Sequence, residues 1–256
     1  MVPPPPTGFE RSAVVGCDLE DLDLEALGAF LKRRAPTFAE SQPLERLATT
    51  LGLMATVGTR VAPTAVGLLC FGHLPQLARP EWGIAAVRIN GTTMADPMTT
   101  RVELEGQLRS LLDGGLAFAE EHSRGLSGEL AEYPEEAVRE ALVNALVHRD
   151  YRLTARTVLR IFDDRMEIWN PGGMASQLDP EQLAVSGGIS FARNPILAAT
   201  ARCLGLMDQI GRGMPTIRRA VQESCGRNPT MRPTGADFLV QIPSRLSTYV
   251  DNNPAN

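Results

Sequence analysis

Three polar side chains recur at helical spacing in the segment that begins at Pro134. Glu140, Asn144 and His148 stand one turn apart, and the apolar residues between them form a separate stripe for burial. Asn144 can give a neutral oxygen to Mg²⁺, and Glu140 can take a proton from an attacking water. The same spacing is also that of an ordinary solvated helix face, so it must be judged together with the rest of the sequence.

Two glycine-containing strings follow this helix. Residues 170–173 read NPGG and come after two alternating runs, at 157–162 and 166–169, that predict a β-hairpin. Residues 210–214 read IGRGM and precede a second predicted helix, whose free N-terminal amides would favour an anion. Glycine lets a backbone approach a ligand closely, although each string by itself is also a common turn.

Composition narrows the chemistry. The chain of 256 residues is long enough for one large domain or two smaller ones, and its net charge of −5 argues against a broad basic surface for nucleic acid. Lys32 is the one lysine and no GxxxxGK[ST] string occurs, which excludes a Walker-type phosphate lysine. The four cysteines lack CxxC spacing and predict neither disulfides nor a zinc site. Without an apolar span or a signal pattern, we expect a cytoplasmic protein with no membrane partner.

The first half of the chain reads as a smaller α/β segment after a polyproline-like lead-in. Helical spacing predicts a helix over 21–34 and a short helix over 41–52, a pair that could belong to a winged-helix-like unit. The runs 66–71 and 83–90 predict strands.

A long helix is then predicted over 101–122, with a kink or break at the adjacent glycines Gly114 and Gly115. We place the domain boundary in the loop that follows. The predicted domains are therefore an N-terminal α/β region of residues 1–125 and a C-terminal domain of residues 126–250.

The order of elements in the second half resembles that of the GHKL ATPase family. A helix with E-x-x-x-N, a hairpin, NPGG, a variable segment, GRGM, a helix and a final strand follow one another. In that family the corresponding parts are the N box, the first glycine box, the ATP lid and the second glycine box. The resemblance implies an α/β (α+β) fold with a two-layer Bergerat-type ATP-binding sandwich in the C-terminal half, and a lid near residues 175–209.

Several strings are also similar to those of a bacterial group of RecG-like, helicase-related proteins, which are also called transcriptional regulators. These proteins join a Schlafen AlbA-type DNA-binding domain to a divergent histidine-kinase-like ATPase domain. The similar strings are REALVNALVHRDY, IFDDRMEIWNPGGM, RNPILA and IGRGMPTI, with DLDLEALGAFL and PTAVGLLCFGHLPQ in the first half. The resemblance implies that residues 1–125 are a truncated connector and that DNA is reached through an upstream domain. The absence of a Walker motif argues against helicase activity.

Carried over by position, the resemblance implies a role for each candidate residue. Glu140 would be the general base, and Asn144 would be the magnesium ligand. Asn170 stands where the family places the aspartate that reads the adenine amino group, and its amide keeps an acceptor but loses the charge. The other residues expected around the nucleotide are His148, Gly172, Gly173, Arg193, Gly211, Arg212 and Gly213.

Two of these residues keep two interpretations each. Arg193 could reach phosphate from the lid or form a plain salt bridge, and His148 could contact phosphate or close the end of its helix with a local hydrogen bond.

Three functional hypotheses follow. The first is a Mg-ATP-binding module with slow or conditional hydrolysis, part of a transcriptional regulator or DNA-associated protein. The second is a non-hydrolysing regulatory scaffold with a degenerate nucleotide pocket. Glu140 favours the first hypothesis and Asn170 favours the second. The third is an interaction module in which the long helix and the acidic N-terminal half drive self-association into a homodimer.

Overall fold

The computed structural model describes residues 8–124, 131–174, 179–187, 192–207 and 211–247. The polyproline-like lead-in, most of the predicted boundary loop and parts of the predicted lid lie outside these residues. The helices are α1 Leu24–Arg34, α2 Pro36–Ser41, α3 Leu44–Thr50, α4 Ala65–Phe71, α5 Leu108–His122, α6 Glu135–His148, α7 Pro180–Ser186, α8 Pro195–Cys203 and α9 Gly213–Cys225. The strands are β1 Met54–Val57, β2 Arg60–Pro63, β3 Ile84–Ile89, β4 Met98–Leu104, β5 Thr157–Ile161, β6 Arg165–Asn170, β7 Thr230–Thr234 and β8 Asp237–Pro243.

A mixed six-stranded sheet takes strands from both halves of the sequence. Its strand order is β4-β3-β5-β6-β8-β7. Strand β3 pairs with β5 in parallel, with Ile84 opposite Thr157, and the other neighbours are antiparallel. A parallel pair needs a long crossover, and here β4, α5 and α6 lie between the two strands in the chain. The pairing of β6 with β8 places Asn170, the last residue of β6, opposite Phe238.

Helix α6 packs against α5 and α9, and α5 and α6 contact strands of this sheet. The shared core includes Leu159 and Ile168 from the strands and Leu142 and Val221 from the helices. Alternate residues along a strand face opposite sides, so Leu159 and Ile161 are buried while Val158 and Arg160 are partly exposed. The prediction of an α+β fold with helices on a mixed sheet is confirmed. Within the described residues, no helix combines the length and the apolar character that crossing a membrane requires.

The N-terminal region packs on the same core. Trp82 contacts Tyr151 edge-on, with 5.6 Å between ring centroids. The buried carboxylate of Glu10 accepts hydrogen bonds from the backbone amides of Ile196 and Leu197 at the start of α8. Sheet and core are thus continuous across the boundary predicted near residue 125. The division into two domains remains a prediction.

The predicted strand at 66–71 is wrong, because this run is helix α4. The Thr64 side chain accepts a hydrogen bond from the Gly67 amide and begins the helix, and all seven of its residues are buried. A helix surrounded by protein has no polar face, so its sequence has neither the helical nor the strand period.

The predicted helix over 101–122 begins too early and does not break. Residues 101–104 belong to strand β4, and α5 continues through Gly114 and Gly115. Gly115 allows close packing instead, whereas Gly114 has room for a side-chain methyl group. A Cβ at Gly115 would lie 2.9 Å from a methyl group of Leu142 on α6, and a Cβ at Gly114 would lie 3.5 Å from Leu104.

Candidate functional site

A cavity of about 860 Å³ lies between α6, α9, α7 and the sheet. Nearly all of the residues predicted for the site line it. They are Glu140, Asn144, His148, Asn170, Gly172, Gly173, Gly211, Arg212 and Gly213. A volume of this size is within the range of small-molecule and cofactor pockets.

Helix α6 supplies one wall. Pro134 precedes its first turn, where Glu135 and Glu136 suit the positive end of the helix dipole. Its apolar stripe is buried in the core, which leaves Glu140 and Asn144 partly exposed toward the cavity. The face of α6 that carries Glu140 and Asn144 is therefore not an ordinary solvated face, because it lines a cavity.

The start of α9 lies directly against this wall. A Cβ at Gly213 would be 2.7 Å from Nδ2 of Asn144 and 3.0 Å from Oε2 of Glu140. A side chain at this position would displace both groups. Helix α9 begins at Gly213, two residues before Pro215, so its first amides lie at the same end of the cavity as Glu140 and Asn144.

Asn170 lies at the other end of the predicted constellation, where β6 ends. It is buried, and its Oδ1 has no hydrogen-bond partner among the described residues. A buried polar atom without a partner costs free energy, and such atoms in folded proteins require an explanation. Asn170 lines the cavity, but its Oδ1 has almost no accessible surface, so a donor on a ligand could reach this oxygen only after the amide rotates.

The NPGG turn is fixed by contacts with the end of α6. Gly172 has a φ of +96°, and a Cβ there would lie 2.7 Å from Cβ of Asp150. The backbone amide of Asp150 donates to the carbonyl of Pro171. Gly173 has no such constraint, since its nearest neighbour would be the carbonyl oxygen of Ala236 at 3.5 Å.

Arg193 does not line the cavity. Its guanidinium forms an ion pair of 2.8 Å with Asp150 and donates to the carbonyl of Gly173. Asp150 also holds Arg152 through two hydrogen bonds, and these arginine hydrogen bonds and charges lower the pKa of Asp150 to about 2. Of the two interpretations of Arg193, the structure has the salt bridge. Its contact with phosphate stays a prediction, which would require Arg193 to leave Asp150 or the carbonyl of Gly173.

The end of α6 is closed by Asn194, a residue for which the sequence predicted no role. Its buried side-chain amide donates to the carbonyls of Val147 and Arg149, at 2.9 and 2.8 Å. Asn194, rather than His148, thus satisfies carbonyls at this helix end. Asn194 lies in the string RNPILA, but nothing in that string identifies the carbonyls of Val147 and Arg149, far away in the sequence, as its partners.

The half-buried imidazole of His148 faces the cavity. Burial, with the nearby charge of Arg193 as a second cause, lowers the pKa of His148 to about 4. The ring is therefore neutral at neutral pH. It can make a hydrogen bond or an apolar contact with a ligand.

Arginines at the rim differ in their pairing. Arg219 binds Glu136 and Glu223, and Arg218 lies 3.6 Å from Glu181 of α7. Arg212 is exposed and forms no ion pair with the described residues. No group of three or more histidine, cysteine or carboxylate side chains in the described ranges could hold a metal, so a cation here would need ligands from a bound molecule.

Residues 155–242 match the protein family described as "Putative ATP-dependent DNA helicase recG C-terminal". The matched range contains Asn170 and both glycine strings, and α6 lies before it. A comparison with curated proteins finds no match.

A crystal structure of the DIP2311 protein from Corynebacterium diphtheriae has a similar fold, with a TM-score of 0.64 and 23% sequence identity. The similarity covers 92% of this chain and 46% of that one, so this chain spans less than half the length of that protein. At this identity the likeness concerns the fold alone.

Proposed function

From the premise that residues 155–242 form a RecG-like, ATPase-related domain, we propose that the chain binds Mg-ATP in the cavity between α6, α9 and the sheet. One observation carries the proposal. Glu140, Asn144, Asn170 and Gly213 come from distant parts of the sequence and line one cavity, in which Asn170 offers a buried acceptor without a partner.

The sheet end of the cavity fits the base. Ile168, Phe238 and Val240 supply an apolar surface, and Asn170 Oδ1 can accept a hydrogen bond from the exocyclic amino group of adenine. Gly172 and Gly173 keep the turn beside Asn170 free of side chains.

The helix end fits the phosphates. Backbone amides at Gly211 and Gly213 lie at the N-terminus of α9, where the helix dipole favours an anion, and Arg212 adds a cation. Asn144 would supply an amide oxygen to Mg²⁺, whose remaining ligands would be phosphate oxygens and water. Bound Mg-ATP would supply an electrophilic terminal phosphate at this end.

Glu140 is the carboxylate suited to act on a water at this end of the cavity. It would hold the water and accept its proton, which is the role of a general base. The hydrolysis proposed is slow or conditional.

The test is calorimetric titration of the whole chain with ATP and Mg²⁺, together with a phosphate-release assay. We expect Asn144→Ala to weaken magnesium-dependent binding by about tenfold. Glu140→Gln should retain binding and reduce turnover by about a hundredfold or more. Asn228→Ala, at an exposed position outside the cavity wall, is the control and should change neither. Absence of heat at millimolar nucleotide would refute ATP binding.

The alternative is a non-hydrolysing scaffold, and the close contact of Gly213 with Asn144 and Glu140 favours it. Because Gly213 leaves little room beside the Asn144 and Glu140 side chains, a water between Glu140 and phosphate would need these side chains to move. Binding without measurable turnover, equal in wild type and Glu140→Gln, would support this alternative.

We place the chain within a transcriptional regulator or DNA-associated protein, in which DNA is bound through an upstream domain and two copies associate as a homodimer. The description of the matching family names a DNA helicase, which supports the association with DNA and not the regulatory role or the homodimer. Helicase activity is not part of it.

A further inference from the structure

Strand β4 forms one edge of the six-stranded sheet and has a strand neighbour on one side only among the described residues. It pairs with β3, and α5 packs against part of it. Five of its seven residues are exposed, and these include the apolar side chains of Met98 and Val102. The outer backbone groups of such an edge strand can pair with a strand of another chain.

The opposite edge of the sheet is protected against such pairing, whereas β4 is not. Strand β7 contains Pro233, which has no backbone N–H to donate, and α7 packs against β7. Strand β4 contains no proline, and its pairing with β3 is irregular only near its start, where the register shifts between Arg88 and Ile89. Residues 100–104 are therefore the regular part of this edge and the part best suited to a further strand.

The sequence of residues 100–104 is complementary to a second copy of itself. Two identical strands that pair in antiparallel fashion are related by a two-fold axis, which makes the contact the same on both sides. With Val102 opposite its own copy, Arg101 of each chain lies opposite Glu103 of the other. Thr100 then lies opposite Leu104, so the axis matches the regular part of the edge with itself.

Charge selects this register over its neighbours. An axis through Arg101 would place two guanidinium groups opposite each other, and an axis through Glu103 would place two carboxylates opposite each other. Like charges on directly opposite residues destabilise a strand pair, whereas opposite charges stabilise it.

The charged side chains of β4 are available for this exchange. Arg101 contacts Glu103 of its own strand at 2.9 Å, but the Arg101 side chain is 64% exposed. Residues two apart on one strand are separated by about 6.5–7 Å, whereas Cβ atoms of directly opposite residues are about 5 Å apart. Glu103 also has Arg156 as a partner at 2.6 Å. Each carboxylate therefore stays paired when Arg101 turns toward the second copy.

We propose that two copies of this chain associate through β4, as an antiparallel strand pair centred on Val102 that joins the two sheets into one. The proposal rests on the homodimer included in the proposed function and names its interface. One strand from each copy makes a small contact, so the dimer is weak, with a Kd of about 10–100 µM. No residue of β4 lines the nucleotide cavity, so nucleotide binding does not depend on this contact.

Sedimentation velocity of the whole chain, at about 5 to about 500 µM, measures the association. Arg101→Glu places like charges opposite each other twice and should weaken dimerisation by about tenfold or more, and Glu103→Arg should do the same. A mixture of these two variants restores both Arg–Glu pairs and should form a heterodimer about as tightly as the wild type dimerises. Arg46→Glu, the same charge change at an exposed position of α3, should leave dimerisation unchanged.

Three results would overturn the proposal. They are a wild type that is monomeric at about 500 µM, an Arg101→Glu variant that dimerises as tightly as the wild type, and a mixture that associates no more than its two components. Circular dichroism establishes that each variant is folded, and if Glu103→Arg fails to fold, the wild type and Arg101→Glu still decide the matter. Calorimetric titration with Mg-ATP is independent, because these variants should bind nucleotide as the wild type does. Loss of the dimer therefore leaves nucleotide binding standing, and failure of nucleotide to bind leaves the β4 contact standing.

Discussion

Gly172 and Gly173 are neighbours in the turn beside Asn170, yet only Gly172 has a left-handed backbone, with a φ of +96°. An alanine there would also place its Cβ 2.7 Å from Cβ of Asp150 and 3.0 Å from its backbone nitrogen. We expect Gly172→Ala to lower the free energy of unfolding by about 2–4 kcal/mol, from backbone strain and displaced neighbours. Gly173→Ala should cost less than about 1 kcal/mol. Urea unfolding of both variants tests this, and equal losses would contradict it.

His148 should make the stability of the protein depend on pH between about 4 and 6.5. Its folded pKa is below the unfolded value, so in this range the unfolded chain takes up a proton that the folded chain does not. The free energy of unfolding should therefore fall as the pH falls, and His148→Gln should remove this loss. Between pH 7 and pH 5 we expect the wild type to lose about 1–2 kcal/mol more than the variant.

Urea unfolding of both proteins at the two pH values measures this difference. Comparing the two proteins cancels the effect of Glu10, whose buried carboxyl has a raised pKa and gains stability as the pH falls. Parallel pH profiles for wild type and His148→Gln would show that the imidazole is protonated equally in both states.

At the scale of elements, the end of α6 is held by hydrogen bonds from Asn194, the residue directly before α8. We expect Asn194→Asp to lose both hydrogen bonds to Val147 and Arg149 and to place a carboxylate against their carbonyl oxygens. The resulting loss in the free energy of unfolding should be about 3 kcal/mol or more, because buried acceptors then face each other. Thermal and urea unfolding measure it, with Asn228→Asp at an exposed position as the control. Similar losses in both variants would refute the capping role of Asn194.

The elements that the sequence predicted well are those with a local signal. Helix α6 has an apolar stripe and acidic residues in its first turn, and the hairpin of β5 and β6 alternates around a short turn. Both patterns arise because each element is buried on one side only, which leaves a period in the sequence.

The elements that were missed or wrong lack such a period. Helix α4 is buried all round, and strands β4 and β7 lie at the two edges of the sheet, where most of their residues are exposed or half-buried and no regular alternation marks them. The same limit applies at the site. Glu140, Asn144 and Asn170 could be chosen from local motifs, whereas the partners of Arg193 and Asn194 are set by tertiary packing.

At the scale of the whole molecule, the residues that line the cavity belong to the second half of the chain, and one wall of the cavity packs against the first half. Helix α6, which carries Glu140 and Asn144, packs against α5 from the first half and against α9 from the second. A parallel strand pair buried under helices has no stable edge when one strand is removed. We therefore expect the two halves to unfold together.

The two tryptophans lie in different places, since Trp169 lies in β6 of the second half and Trp82 lies before β3 in the first half, against Tyr151 of the second. In Trp82→Phe and in Trp169→Phe, the fluorescence of the remaining tryptophan should follow the same urea transition as far-UV circular dichroism of the same sample. Comparison within each variant removes the effect of the substitution on stability, which matters because Trp82 is buried. A fluorescence midpoint in either variant that departs from the dichroism midpoint would show that the halves are separate cooperative units. The division near residue 125 would then be a true domain boundary, and the cavity would lie within the second unit.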